Sequence, residues 1–196
     1  MRCMIIYLHG FNSSPQSFKA RLLADRMRAL GRADRFVSPA LPTHPADAIA
    51  RAGECVATAI RGGIASSDVT LVGSSLGGFY ATWLAERHRC RAVLVNPAVA
   101  AHRLLAGHVG RQQNLHTGEA YDFTEADVEA LRVLDVARIT QPERYLLLAT
   151  TGDEVLDHRD AVALYAGATQ VIVDGSDHGF TGFDRYIDRV LAFADV

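Results

Sequence analysis

Apolar positions along this chain alternate between two rhythms. Short solid runs occur at "MIIYLH" (Met4 to His9), "RFVSP", "DVTLVG", "RAVLVN" (Arg91 to Asn96), "RYLLLAT" (Arg144 to Thr150) and "TQVIVD" (Thr169 to Asp174). Runs of that length, rich in β-branched residues and apolar on both faces, predict buried strands. The intervening stretches carry helical periodicity and helix punctuation. In "SPQSFKARLLADRMRALG" Ser14 is the expected N-cap, Pro15 the first helical residue and Gly31 the stop. Pro45 to Arg61 places Ile49, Val56 and Ile60 on one face before Gly62 and Gly63. Further helices are expected over Leu76 to Arg89, near His158 to Tyr165, and over Phe183 to Ala194 with Phe183, Ile187, Val190 and Leu191 inward. Alternation of this kind predicts one doubly wound α/β domain over residues 1–196, with a mainly parallel sheet of about six strands.

One interval breaks the rhythm. Between Asn96 and Arg144 lie 47 residues, more than one helix and its loops require. Thr124-Glu-Ala-Asp127 predicts a capping box for a helix reaching about Leu134. The part before it, residues 97–124, reads as an excursion over the sheet's edge that acts as a lid or shapes the substrate site.

Composition narrows the picture. The 196 residues are 49% apolar with a formal net charge of −2, which suits a globular protein. No basic cluster offers the footprint that phosphate neutralisation needs, so a nucleic-acid partner is not expected. Cys3, Cys55 and Cys90 form neither a CxxC nor a metal-ligand spacing and read as buried free thiols of a reducing compartment. The opening "MRCMIIYLHGF" is too short in its apolar run for a signal peptide. No stretch has the apolar length of a membrane span, so a cytoplasmic location is the expectation.

The candidate chemistry begins at Gly73-Ser74-Ser75-Leu76-Gly77, a G-x-S-x-G pattern where a strand turns straight into a helix. In that context a sharp, strained turn holds the central serine outward, and small residues are needed two positions either side. Ser75 is therefore the expected nucleophile, since Ser74 has Val72 and Leu76 at the crowded positions. The other reading, a glycine-rich phosphate loop, lacks both G-x-G-x-x-G and the P-loop lysine. A serine needs a base, and the base needs an orienting acid, in the chain order Ser, acid, His. "TGDEVLD" follows one strand and offers Asp153, with Glu154 and Asp157 as rivals; Asp153 stands nearest the strand end, and Asp157 suits a helix N-cap. "GSDHGF" follows the last strand and offers His178, with Asp177 beside it as a cap or solvent-facing residue. His44, His88 and His158 read as solvated or capping, and His102, His108 and His116 as surface residues without zinc spacing. The amide of Leu76 and, from the loop "LHGFNSSP", that of Phe11 are the expected oxyanion donors.

Taken together, "YLHGFNSSP", "LVGSSLGGFYATWLAE", "LVNPAV", "TGDEVLD" and "DHGFTGF" resemble the YqiA-like bacterial esterases of the α/β-hydrolase superfamily, in the family's order from about Ile6 to Phe193. The resemblance implies a minimal hydrolase fold without the first two strands of the usual one. It also implies hydrolysis of short-chain acyl esters and acyl-CoA thioesters; a serine triad of this kind is expected to work with no cofactor or metal. Nucleophile, acid and base fall on Ser75, Asp153 and His178. A small-molecule acyl ester or acyl-CoA is the expected partner, with no membrane partner and a monomer or weak homo-oligomer as the state. A non-catalytic ligand-binding relative, or an acyltransferase or C–C hydrolase on the same scaffold, are the alternatives.

Overall fold

The computed structural model describes residues 3–196; Met1 and Arg2, part of the N-terminal reading above, lie outside the described residues. Six strands form one parallel sheet: β1 (Met4–Leu8), β2 (Phe36–Val37), β3 (Val69–Ser74), β4 (Arg91–Val95), β7 (Tyr145–Thr150) and β8 (Thr169–Val173). Their order is β2-β1-β3-β4-β7-β8, so the winding direction reverses between β1 and β3. Ligands of open α/β sheets bind beyond the strand C-termini at such a reversal.

Helices cover both faces. α1 (Phe18–Ala29) and α7 (Ile187–Phe193) pack on one face with Val72, Val93 and Leu148. α2 (Pro45–Arg61), α3 (Leu76–His88), α4 (Ala101–Leu105), α5 (Glu125–Val133) and α6 (His158–Leu164) belong to the other side, over Ile6, Leu71, Leu94 and Leu147. Burial on both sheet faces is the physical reason the central strands carry no polar alternation. β3 and β7 are buried at every position.

Several boundaries differ from the expectation. α1 starts at Phe18, not Pro15: Ser14 accepts the Gln16 N–H at 3.1 Å and the Ser17 N–H reaches the Ser14 carbonyl at 3.1 Å, so a turn precedes the helix. The closing helix splits into a 3-10 turn over Phe183–Tyr186 followed by α7. In α2 the most deeply buried residues are Ala48, Ala52 and Val56, with Ile49 and Ile60 at the margin of the core. Asp127 closes the capping box on Thr124 as expected.

Residues 97–124 hold α4, a 3-10 turn (Ala106–His108) and an antiparallel hairpin of β5 (Gly110–Gln113) and β6 (Ala120–Phe123). This hairpin is clipped to the loop after β1, a central strand, and not to a sheet edge. Leu115 N–H donates to the Asn12 carbonyl at 3.3 Å, Asn114 Nδ2 to the Ser13 carbonyl at 3.1 Å, and Tyr121 OH to Asn12 Oδ1 at 2.7 Å.

Candidate active site

The parallel registers bring the C-terminal ends of β1, β3, β4, β7 and β8 to one rim, with Leu8 opposite Gly73, Ser74 opposite Val95 and Thr150 opposite Val173. Ser75 stands on that rim with φ 56° and ψ −123°. A side chain at positive φ is strained, and the strain persists only where surroundings over-determine it. Here the Ser75 N–H donates to the Val95 carbonyl at 3.1 Å, and the Ser75 carbonyl accepts from Gly78 at 2.9 Å and Ala98 at 3.0 Å. The flanking glycines are sterically required. A Cβ on Gly73 would lie 2.3 Å from the Gly77 carbonyl oxygen, and one on Gly77 would lie 2.0 Å from that of Leu8.

Three loops converge on this turn. His178 Nε2 lies 3.1 Å from Ser75 Oγ, and His178 Nδ1 lies 2.8 and 3.0 Å from the Asp153 carboxylate oxygens. The Asp153 side chain is only 2% exposed. Burial opposes its charge, yet the bonds from His178, Leu156 and Val155 outweigh burial and hold the carboxyl below the ordinary aspartate range. The rivals do other work. Glu154 accepts the main-chain N–H of His178 at 2.9 Å, while Asp157 caps α6 and pairs with Arg159. Asp177 binds the N–H and hydroxyl of Thr181.

The loop of Phe11 presses on the serine: a Cβ on Gly10 would meet Ser75 Cβ at 3.1 Å. His9 fixes this loop. Its Nδ1 pairs with the Gly10 carbonyl at 3.1 Å while Nε2 accepts the Leu41 N–H at 3.1 Å, so the ring is neutral, and burial lowers its pKa accordingly. Phe11 and Leu76 both border a cavity of about 280 Å³ that opens onto Ser75 and His178. Its other walls are Ala98, Ala101, Leu104, Leu105 and Leu156, most of them from the 97–124 segment.

One histidine departs from the expected surface role: His102 is buried within α4. His108 is exposed, yet it also borders the cavity and meets the Phe11 ring edge-on at 5.9 Å. Asn96 and Lys19 were not singled out in the sequence. Asn96 sits at φ 42°, 3% exposed, and donates to the carbonyls of both Asp177 and His178 at 3.2 Å. Lys19 Nζ donates to the next carbonyl, Gly179, at 2.7 Å. The asparagine before Pro97 was a visible signal; the lysine lies in an ordinary amphipathic helix pattern and had none. Among the described residues no group of three or more His, Cys, Asp or Glu is arranged for a metal, and no helix is long and apolar enough to cross a membrane.

Solved structures share this architecture. A Xanthomonas campestris protein assigned to the alpha/beta superfamily of hydrolases superposes with a TM-score of 0.64 at 21% identity, covering 99% of this chain and 97% of that one. The esterase domain of a Rhodothermus marinus protein gives 0.65 at 17% identity, covering 98% and 85%. The fold is thus that of the α/β-hydrolases. A UPF0227 protein of Serratia proteamaculans is 26% identical over 191 residues, 97% of this chain and 98% of its own. One from Yersinia pseudotuberculosis is 27% identical over the same length and shares. The profile of the Uncharacterised protein family (UPF0227) matches residues 4–195, and the chain belongs to that family.

Proposed function

We propose that this chain is a serine hydrolase that cleaves short-chain carboxylic esters, or acyl-CoA thioesters, through an acyl-enzyme on Ser75. The observation that carries the reading is the hydrogen-bonded line from Ser75 Oγ through His178 to Asp153, at 3.1 and 2.8 Å, with the serine held on a strained turn. In this reading His178 Nε2 takes the Ser75 proton as Oγ bonds to the acyl carbon. The protonated imidazole, steadied by Asp153, then returns that proton to the departing alkoxide or thiolate as the acyl–heteroatom bond breaks. Water repeats the sequence and frees the acid. The amides of Phe11 and Leu76 receive the oxyanion. The stretch from Ala98 through α4, as the source of most of the apolar cavity wall, sets acyl length. The esterase domain of the Rhodothermus marinus protein, built on the same fold, supports the reaction class.

Hydrolysis of p-nitrophenyl esters from acetyl to palmitoyl, by wild type and Ser75→Ala, tests the reading. Turnover peaking at short chains and lost in the variant is the expected result. Turnover surviving in the variant, or none with any ester or acyl-CoA, sinks it. Acyl transfer to an added alcohol outrunning hydrolysis would make the chain a transferase.

A further inference from the structure

Ser75 and His178 stand between two cavities, one apolar and one of mixed, more polar lining. The apolar one is described above. The second, of about 450 Å³, also opens onto both residues but is lined by Tyr7, Ser13, Ser17, Lys19 and His116. Lys19 is its buried cation, 9% exposed. Among the described residues no ion pair includes it. The carboxylates whose charge it feels, Asp177 and Asp153, act on it without forming an ion pair, their oxygens being turned to Thr181 and to His178.

That placement is costly. A buried cation with no direct ion pair loses hydration that one carbonyl and two more distant carboxylates do not replace, and burial outweighs their charges. Lys19 also lies in the first turn of α1, at the positive end of the helix dipole. Burial pulls its pKa down to about 8. Holding the Gly179 carbonyl requires a donor but no charge, so that bond alone does not account for an ammonium here. An anion entering the cavity from solvent does.

We propose that the Lys19 cavity receives the leaving group of the substrate and that this leaving group carries a carboxylate or phosphate on a short arm, neutralised by Lys19. The inference rests on the hydrolase reading. The acyl chain occupies the apolar cavity, the acyl C–O bond breaks as the Ser75 ester forms, and the anionic alcohol departs with the proton from His178. Because Lys19 and Ser75 border one cavity, the charge must sit close to the scissile bond. That favours a compact anionic ester over acyl-CoA, whose phosphates lie at the far end of a long arm.

The test uses three esters: 3-carboxyphenyl butyrate, its neutral isostere 3-carbamoylphenyl butyrate, and, with the charge moved to the acyl side, the monoester phenyl succinate. Wild type is expected to favour the 3-carboxyphenyl ester over the carbamoyl ester by about tenfold in kcat/KM, the scale of one charge-assisted hydrogen bond. Lys19→Met should erase that preference and Lys19→Arg keep most of it. Equal rates on the two esters in wild type overturn the proposal, and this comparison stands even if Lys19→Met does not fold. So does an equal slowing of both by Lys19→Met, which would leave Lys19 a tether for Gly179 only. A preference for phenyl succinate would place the charge in the wrong half and also overturn it. Calorimetric binding of 3-butyramidobenzoate and its carboxamide to Ser75→Ala reads the cavity without turnover. Tighter carboxylate binding with no ester hydrolysed by wild type would sink the hydrolase reading but not the anion site, and equal binding would sink the site.

Discussion

Asn96 donates its side-chain amide to the main-chain carbonyl of His178 at 3.2 Å, although 82 positions separate the two residues. The same nitrogen serves the Asp177 carbonyl and Thr150 Oγ1, and Asn96 Oδ1 accepts the Thr150 N–H at 2.9 Å. The ends of β4 and β7 are thereby locked to the loop that presents the imidazole. Three successive carbonyls, those of Asp177, His178 and Gly179, are held by buried side chains, the last by Lys19.

Asn96→Ala should therefore cost stability and rate together. It leaves the buried Thr150 N–H and the His178 carbonyl short of a partner, whereas the Asp177 carbonyl keeps Thr150 Oγ1 and the Phe180 N–H, a loss of roughly 2–4 kcal/mol. Asn96→Asp keeps the shape but sets a carboxylate against two carbonyl oxygens and should be no better. Urea unfolding and steady-state kinetics check this, with kcat expected to fall and KM to stay. An Asn96→Ala protein as stable and as fast as wild type would remove Asn96 from the positioning set.

The acid should be separable from its neighbour. Asp153→Asn is expected to lower kcat by about 10⁴, because the amide presents the wrong partner to His178 Nδ1. Asp157→Asn should leave kcat essentially unchanged, since asparagine also caps a helix. Steady-state rates on any ester the protein turns over decide it, and the reverse ranking would move the acid to Asp157.

Strain at the serine has a thermodynamic signature. With φ 56° and ψ −123°, position 75 has a backbone that glycine adopts without penalty. Ser75→Gly and Ser75→Ala should both be inactive, and the glycine variant should be the more stable by about 1 kcal/mol. Equal or reversed stabilities in urea titration would mean the turn relaxes.

Glycines of the turn should differ sharply from glycines elsewhere. Gly77→Ala drives a Cβ to 2.0 Å from the Leu8 carbonyl oxygen, where only backbone movement gives room. A loss above about 4 kcal/mol, or no folded protein, is expected. Gly107→Ala meets nothing within 4 Å and should change stability by under about 0.5 kcal/mol. Tolerance of alanine at 77 would contradict the tight contact between β1 and this turn.

Lys19 makes stability depend on pH in an unusual direction. Its folded pKa, about 8, lies below its unfolded value near 10.5. Below pH 8 both states carry the proton and the full cost of burying the charge is present. As pH rises from 8 toward 10.5 the folded state sheds the proton first, so this cost fades and stability rises. Asp177 and Asp153 face the ammonium and oppose the shift, but burial outweighs them. The difference in unfolding free energy between wild type and Lys19→Met should therefore move in favour of wild type from pH 7 to 9.5. An unchanged difference would show that the amine is not charged at neutral pH or not buried.

Much of the fold was legible because its causes are local. Solid apolar runs bounded by turn residues point to buried strands, and the six strands of the parallel sheet lie where those runs are, whereas the β5–β6 hairpin has no such run. Pro45 at the start of α2, the Thr124–Asp127 capping box and the glycines around Ser75 each answer a constraint set within a few residues. Chain order and strand ends likewise point to Ser75, Asp153 and His178, which the fold brings within hydrogen-bond reach of one another. What the tertiary structure alone decided are pairings between distant segments. No sequence rhythm marks the grip of Asn96 on the His178 loop, the fastening of the 110–123 hairpin onto Asn12 and Ser13, or the entry of Lys19 into a cavity beside Ser75. A hydrogen bond or a buried charge depends on which surfaces meet after the sheet has formed, and residue spacing along one segment carries no record of that meeting.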